Sequence, residues 1–286
     1  MKRVLVFGAT GNLGRQIIKA LKQHHYYVAA VVRSSAKAAL LQSLSDECLV
    51  ADVTDAGQVK GICNGFDLVI SALGKSVSIE DKSKPSFEDI DYKANAVILQ
   101  EAVESRVKKF VYISALHAEH YPHLAYFNTH HRFSQLLKNS GVNYSIIKPP
   151  ALFSAFLDLV PLAKKGRLVH MGKGDKRTNP IFEGDLAQIC VASINQPNAE
   201  IEAGGKQVMT RREINETIRN IVAPGKNIPA IPLWLVRSML PMIKPFNRNL
   251  YDKLGFFVQV IQDDVLAPER GEKRLEDYIK ESVAKP

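Results

Sequence analysis

Cysteine is scarce in this chain: three residues among 286, Cys48, Cys63 and Cys190, odd in number and far apart. With no C-x-x-C pair they form neither a disulfide framework nor a thiolate zinc site, so a reducing compartment, the cytoplasm, is expected. Long apolar runs are missing as well. No stretch reaches the roughly 18 uninterrupted apolar residues of a membrane span. The apolar start, MKRVLVFGATG, leads into a glycine turn where a signal peptide would show a cleavage site. The formal charge of +9 includes no dense Lys/Arg block and no aromatic-plus-basic motif. Nucleic acid is therefore not an expected partner, whereas scattered lysines suit a hydrated surface that favours phosphate-bearing ligands. Internal repeats and low-complexity segments are absent too.

What is present is a regular alternation. RVLVF (3–7) reads as a strand and RQIIKALKQH as a helix, with Ile17, Ile18 and Leu21 at helical spacing. YVAAVVR, ECLVADV and FDLVISAL follow as strands, separated by the helical patterns SAKAALLQSL and TDAGQVKGIC. NAVILQEAVESRV then KKFVYISAL, and a helix near 127–139 then NYSIIKP, complete the series. Strands this apolar are buried on both faces, which predicts a Rossmann-type, doubly wound parallel α/β sheet over residues 1–150. After Pro149-Pro150 the rhythm breaks. Residues 151–286 are expected to form a small C-terminal substrate lobe, partly packed back on the sheet through a helix starting near Asp185. Thr210-Arg-Arg-Glu213 has the form of a capping box.

Gly8, Gly11 and Gly14 fall between the first strand and the first helix, the context in which such glycines bind a dinucleotide. The first permits a tight turn, the second lets backbone approach a pyrophosphate, and the third allows close helix–sheet packing, with amide donors at the helix N-terminus. The second strand ends in AVVRSS, with no acidic residue to hold ribose hydroxyls. Arg33, flanked by Ser34 and Ser35, offers paired N–H donors to a 2′-phosphate, so NADP(H) is favoured over NAD(H).

Together VFGATGNLG, VVRS, ADVTD, SALG, RVKKFVYIS, LLKNSGVNYSIIKPP and NPIFEGDLA resemble the atypical short-chain dehydrogenase/reductase family, its NmrA-like or NAD(P)H-binding group. The likeness covers most of residues 3–190. It implies that Gly8, Thr10, Gly11, Asn12, Leu13 and Gly14 hold the cofactor's phosphates and that Asp52 and Val53 border its adenine. Ala72, Leu73 and Gly74 would line the ribose and nicotinamide side, and Pro149 would lie near the nicotinamide. Ser114 occupies the position of the family's catalytic serine.

Family members carry Tyr-x-x-x-Lys, whereas AYFNTHHRF offers Tyr126 and then His130. In the family, Tyr donates a proton to a carbonyl while Lys lowers the Tyr pKa and binds the ribose. An i,i+4 pair shares a helix face, but a neutral imidazole supplies little field. Two readings stay open. One is an oxidoreductase moving hydride between NADPH and a carbonyl or conjugated double bond, with Ser114, Tyr126 and His130 as its catalytic group. The other is a non-catalytic NADP(H)-responsive sensor, regulatory or assembly protein. A sugar-nucleotide epimerase is disfavoured, since such relatives keep the intact pair.

The histidines of HAEHYPH are not expected to bind a metal, because Pro122 interrupts any helix there. Residues 74–91 form a polar loop expected to border the cleft. Residues 233–246, LWLVRSMLPMIKPF, could cover the core, line a pocket for a lipophilic small-molecule substrate, touch a membrane surface peripherally or meet a second subunit. Neither the substrate nor the oligomeric state is encoded in a recognisable pattern.

Overall fold

Four strands of this protein are almost entirely withdrawn from water, and the seven-stranded sheet to which they belong positions most of the candidate groups at its strand ends. The computed structural model describes residues 1–284. β1 (Arg3–Phe7), β2 (Tyr27–Val32), β3 (Glu47–Val50), β4 (Leu68–Ser71), β5 (Lys109–Ile113) and β6 (Asn143–Lys148) pair in parallel. Parallel pairing demands crossovers, supplied by α1 (Asn12–Gln23), α2 (Ser35–Ala39), α3 (Ala56–Val59), α4 (Asn95–Glu104) and α5 (Ala125–Lys138). A π-helical turn, Glu88–Ala94, leads directly into α4.

Two predicted helices come out much shorter than their patterns. SAKAALLQSL stays α-helical only to Ala39, because Asp46 draws the following chain back to the sheet by accepting the Val28 amide at 2.8 Å and pairing with Lys22. TDAGQVKGIC yields only the four residues of α3, ended near Gly61, whose φ of +77° a helix cannot continue through.

The chain divides into two units, one of residues 1–75, 85–148 and 186–201 and the other of 76–84, 149–185 and 202–286. After α6 (Leu159–Lys164), the two-residue strands β7 (His170–Met171) and β8 (Arg177–Thr178) belong to the second unit. From Leu186 onward, α7 (Glu183–Ser193) belongs to the first, and β9 (Ala199–Glu202) completes a seven-stranded sheet in the order β3-β2-β1-β4-β5-β6-β9. Its core includes Leu5, Phe7, Ile98, Phe110, Tyr112 and Phe133, all fully buried.

The second unit continues with β10 (Met209–Thr210), α8 (Arg211–Val222), β11 (Ala230–Ile231), α9 (Leu233–Ile243), α10 (Arg248–Val260) and α11 (Leu275–Ala284). Phe153, Leu168, Ile214, Ile218, Leu275 and Ile279 form its core. The polar segment after β4 is partly ordered by this unit. The buried Lys253 ammonium of α10 donates to the carbonyls of Ser78 (2.7 Å) and Asp81 (2.8 Å). Among the described residues no helix is long and apolar enough to cross a membrane.

The α8 capping box forms as its spacing predicts: Thr210 Oγ1 accepts the Glu213 amide at 3.1 Å, and Glu213 accepts the Thr210 amide at 2.7 Å. Thr210→Ala should therefore cost about 1 kcal/mol, read as a lower urea midpoint with an unchanged circular-dichroism spectrum.

Candidate functional site

Backbone meets backbone where β1 turns into α1. Gly8 sits at φ +72°, and a Cβ there would lie 2.4 Å from the Ala72 carbonyl oxygen. A Cβ on Gly14 would lie 2.2 Å from the Gly8 carbonyl oxygen, so a side chain at either position forces the elements apart. The Gly11 amide donates to that same carbonyl at 3.0 Å. Gly11 is also the N-cap of α1 and brings no side chain to its first amides. Those donors, together with the positive end of the helix, make a ready anion site. Nearby, Thr10 offers its carbonyl to Arg15 Nε at 3.2 Å, Asn12 opens the helix exposed, and Leu13 turns into the core.

Arg33 and Ser34 follow β2 on the surface, where the Ser34 hydroxyl accepts the Lys37 amide and caps α2. Asp52, just beyond β3, is fixed by the Thr54 amide (2.9 Å) and hydroxyl (2.7 Å). Those hydrogen bonds, with the Arg33 charge behind them, hold its carboxyl below the ordinary range. Val53 is buried and borders a cavity of about 230 Å³ with an apolar floor of Val53, Ala94 and Val97 and a polar rim of Thr54, Asp89 and Lys93. Ala72, Leu73 and Gly74 leave the end of β4, and Pro149 follows the end of β6. A glycine cradle with an uncapped helix end, a surface Arg after the next strand and an apolar cavity lining around Val53 fit a dinucleotide.

Behind this turn lies a buried polar layer. The Asn95 amide nitrogen donates to the carbonyls of Leu73, Ile90 and Asp91, while its oxygen accepts the Ser71 hydroxyl at 2.6 Å. Asp91 is fully buried: Oδ2 accepts the Lys75 amide at 3.0 Å. Oδ1 stands 3.3 Å from His130 Nε2, off hydrogen-bond geometry, and has no hydrogen-bond partner. A Cβ added to Gly74 would touch that same Oδ1 at 3.3 Å.

His130 faces inward at both nitrogens, with Nδ1 2.7 Å from the buried Tyr112 hydroxyl. Burial pushes its pKa down to about 3, so the imidazole is neutral. The same burial drives Asp91 well above the ordinary carboxylate range, against the Lys75 amide and charge. Tyr126 stacks edge-on to His130 at 4.7 Å between ring centres. Burial raises its pKa, so its phenol stays protonated.

Ser114, directly after β5, is also buried. Ser134 Oγ donates to the His130 carbonyl at 2.8 Å, which leaves Ser114 as the donor in the 3.2 Å contact between the two hydroxyls. The lone pairs of Ser114 remain for a cavity of about 240 Å³ that also meets Glu119, His131, Lys148 and Glu200. There burial pulls Glu200 upward, but hydrogen bonds from Lys138 and Lys148 outweigh it and leave the carboxyl below its ordinary range.

Ser114 and His130 are thus linked through Ser134, and Tyr126 meets His130 ring to ring. Asp91, Asn95 and Tyr112 are functional neighbours that sequence reasoning missed. A signal existed: Asp91 and Asn95 interrupt the apolar stripe of Ala94 and Ile98 at helical spacing, and a polar residue on such a stripe is one to question.

A family profile described as NAD(P)H-binding matches residues 8–197. A photosystem II assembly factor, Ycf39 of Guillardia theta, is 27% identical, the match covering 88% of this chain and 81% of that protein. The chloroplastic divinyl chlorophyllide a 8-vinyl-reductase of Arabidopsis thaliana is 26% identical, covering 94% and 71%. The NADPH-dependent quinone oxidoreductase QOR2 of Escherichia coli, solved with NADPH, shares the fold with a TM-score of 0.74 at 18% identity, over 98% and 99% of the two chains.

The buried pair sets an acid limb of stability. His130 has a folded pKa of about 3 against an ordinary 6.5, so its contribution is complete above the ordinary value and is lost as pH falls toward the folded one. Asp91 works in the opposite sense: its raised folded pKa returns stability as pH falls through it. Replacing His130 by Gln removes only the first effect. Between pH 7.5 and 5 the wild type should lose about 2 kcal/mol more than His130→Gln, measured by urea unfolding at both pH values.

Proposed function

The chain belongs to the NAD(P)H-binding family, and on that premise we propose that it binds NADP(H) and passes hydride to a conjugated acceptor, such as a quinone or an activated double bond. Gly8, Thr10, Gly11, Asn12, Leu13 and Gly14 take the pyrophosphate, and Arg33 with Ser34 takes the 2′-phosphate. Asp52 and Val53 border the adenine, and Ala72, Leu73, Gly74 and Pro149 face the nicotinamide side. The cofactor supplies the hydride; the rest of the chemistry falls to the protein's own groups.

The observation that carries this reading is the neutral, inward-facing His130. Reducing a simple ketone creates a localised alkoxide that needs a proton as it forms, and a good general acid contributes about 10²–10⁴-fold to such a step. Here no cation at position 130 acidifies Tyr126, whose pKa is raised. An enolate or hydroquinone anion spreads its charge and can take its proton from water, so it depends far less on that acid. Tyr126 then acts as a hydrogen-bond donor to the acceptor, His130 positions its ring, and Ser114 orients the substrate oxygen when its proton turns from Ser134.

A second reading, an assembly or regulatory protein that holds NADP(H) without turnover, is favoured by the assembly-factor relative that spans 88% of the chain. The discriminating experiment is calorimetric titration with NADPH and NADH, followed by NADPH oxidation against quinones, enones and simple ketones. Conjugated acceptors should turn over on the order of 100-fold faster than ketones; tight binding with no turnover on any of them would favour the second reading. Arg33→Ala should weaken NADPH binding on the order of 10- to 100-fold and leave NADH nearly unchanged. Equal loss of both would remove Arg33 from the 2′-phosphate.

A further inference from the structure

α9 reverses the usual logic of an apolar helix. Eight of its eleven residues are apolar, yet none is buried. Trp234 is 69% exposed, Leu235 43%, Met239 54% and Met242 73%, and Phe246, just past the helix, is 90% exposed. At 3.6 residues per turn these four helical residues share one side. Leu233, Val236, Leu240 and Ile243 take the opposite, half-buried side, where α9 packs on α10.

The charge within this stretch of sequence has one sign. Residues 217–251 contain Arg219, Lys226, Arg237, Lys244 and Arg248 and no acidic residue. With 29 acidic residues in 286, an average stretch of that length would hold three or four, so the bias is local to this segment. Arg237 lies within α9 and Lys244 is its C-cap, and the Lys244 charge is felt by the Asp252 carboxylate of α10. The Arg237 guanidinium donates to the Gln262 side-chain oxygen, and the Lys244 ammonium lies 5.3 Å from the centre of the Tyr251 ring. Arg248 is met by Asp252 at 3.1 Å.

We propose that this face docks on an anionic lipid bilayer, with α9 lying in the plane of the head groups. Eleven residues span roughly 16 Å, about half of a hydrocarbon core, so the helix can lie in the interface but cannot cross it. Exposed Trp234 and Phe246 in a stretch whose charged residues are all basic match the two contributions to interfacial binding, apolar burial and attraction to anionic head groups. A protein-binding patch is ordinarily depleted in lysine. The proposal does not depend on the hydride-transfer reading.

Trp234 is the only tryptophan in the chain, so its fluorescence reports this face directly. The full-length protein is titrated with vesicles of phosphatidylcholine alone and of phosphatidylcholine with an equal share of phosphatidylglycerol. Emission should shift to the blue, and be quenched by brominated lipid, only with the anionic vesicles. Lys244→Glu changes the charge by two units, each worth about fivefold at an anionic surface, and should weaken partitioning about 30-fold. Met242→Glu should abolish the shift while leaving thermal unfolding unchanged, because the side chain is already in water. No shift with either vesicle would overturn the proposal, and so would an equal shift with both. A blue shift that grows with protein concentration in the absence of vesicles would overturn it too, by assigning the face to a second copy.

Discussion

No side chain fits between the end of β1 and the start of α1, and the organisation of the first unit depends on that contact. With Gly14 against the Gly8 carbonyl and Gly8 against Ala72, the helix N-terminus is held at the carboxyl ends of the parallel strands. Parallel pairing then carries the other candidates to the same edge. Gly8, Arg33, Ala72, Ser114 and Pro149 each immediately follow a strand, and Asp52 comes two residues after one. Ligands of open parallel sheets collect at this edge because chain leaves the sheet there on loops that need no hydrophobic burial of their own.

Beneath that edge the protein withdraws polar groups from water and answers the cost in two ways. Asn95 is saturated: its amide reaches three carbonyls and its oxygen takes the Ser71 hydroxyl. Asp91 and His130 instead move toward their uncharged forms, since an isolated charge in such a setting is far more expensive than a displaced pKa. This is why the departure from Tyr-x-x-x-Lys goes beyond the exchange of one cation for a weaker one. The imidazole is engaged by Tyr112 and faced by Asp91, and its chemistry belongs to the interior.

The second unit shows the converse: apolar surface left in water. Exposed apolar patches are uncommon without a partner, and α9 places one beside an acid-free run of basic residues. α10, on which α9 packs, also uses its buried Lys253 to hold the carbonyls of Ser78 and Asp81 in the segment that follows β4. Apolar exposure, a run of basic residues and the anchoring of the segment that follows β4 therefore meet on one helical pair.

The sheet and the glycine turn were readable in advance because they rest on local rules. Apolar runs of four to six residues between helical periods predict buried parallel strands, and glycines at that spacing have few other uses. The capping box at Thr210 was equally plain, being closed within four residues. Helix length in α2 and α3 was not, because Asp46 ends one of them through a strand residue eighteen positions away. Nor was the setting of His130. Its spacing from Tyr126 is written in the sequence, but its charge is decided by burial, in a setting that includes Tyr112, eighteen residues before it, and Asp91, thirty-nine before. Sequence by itself determined which residues reach the strand ends, since periodicity and glycine geometry act over a few residues. Tertiary structure alone decided which of them keep a charge, since desolvation is set by everything that packs around a group.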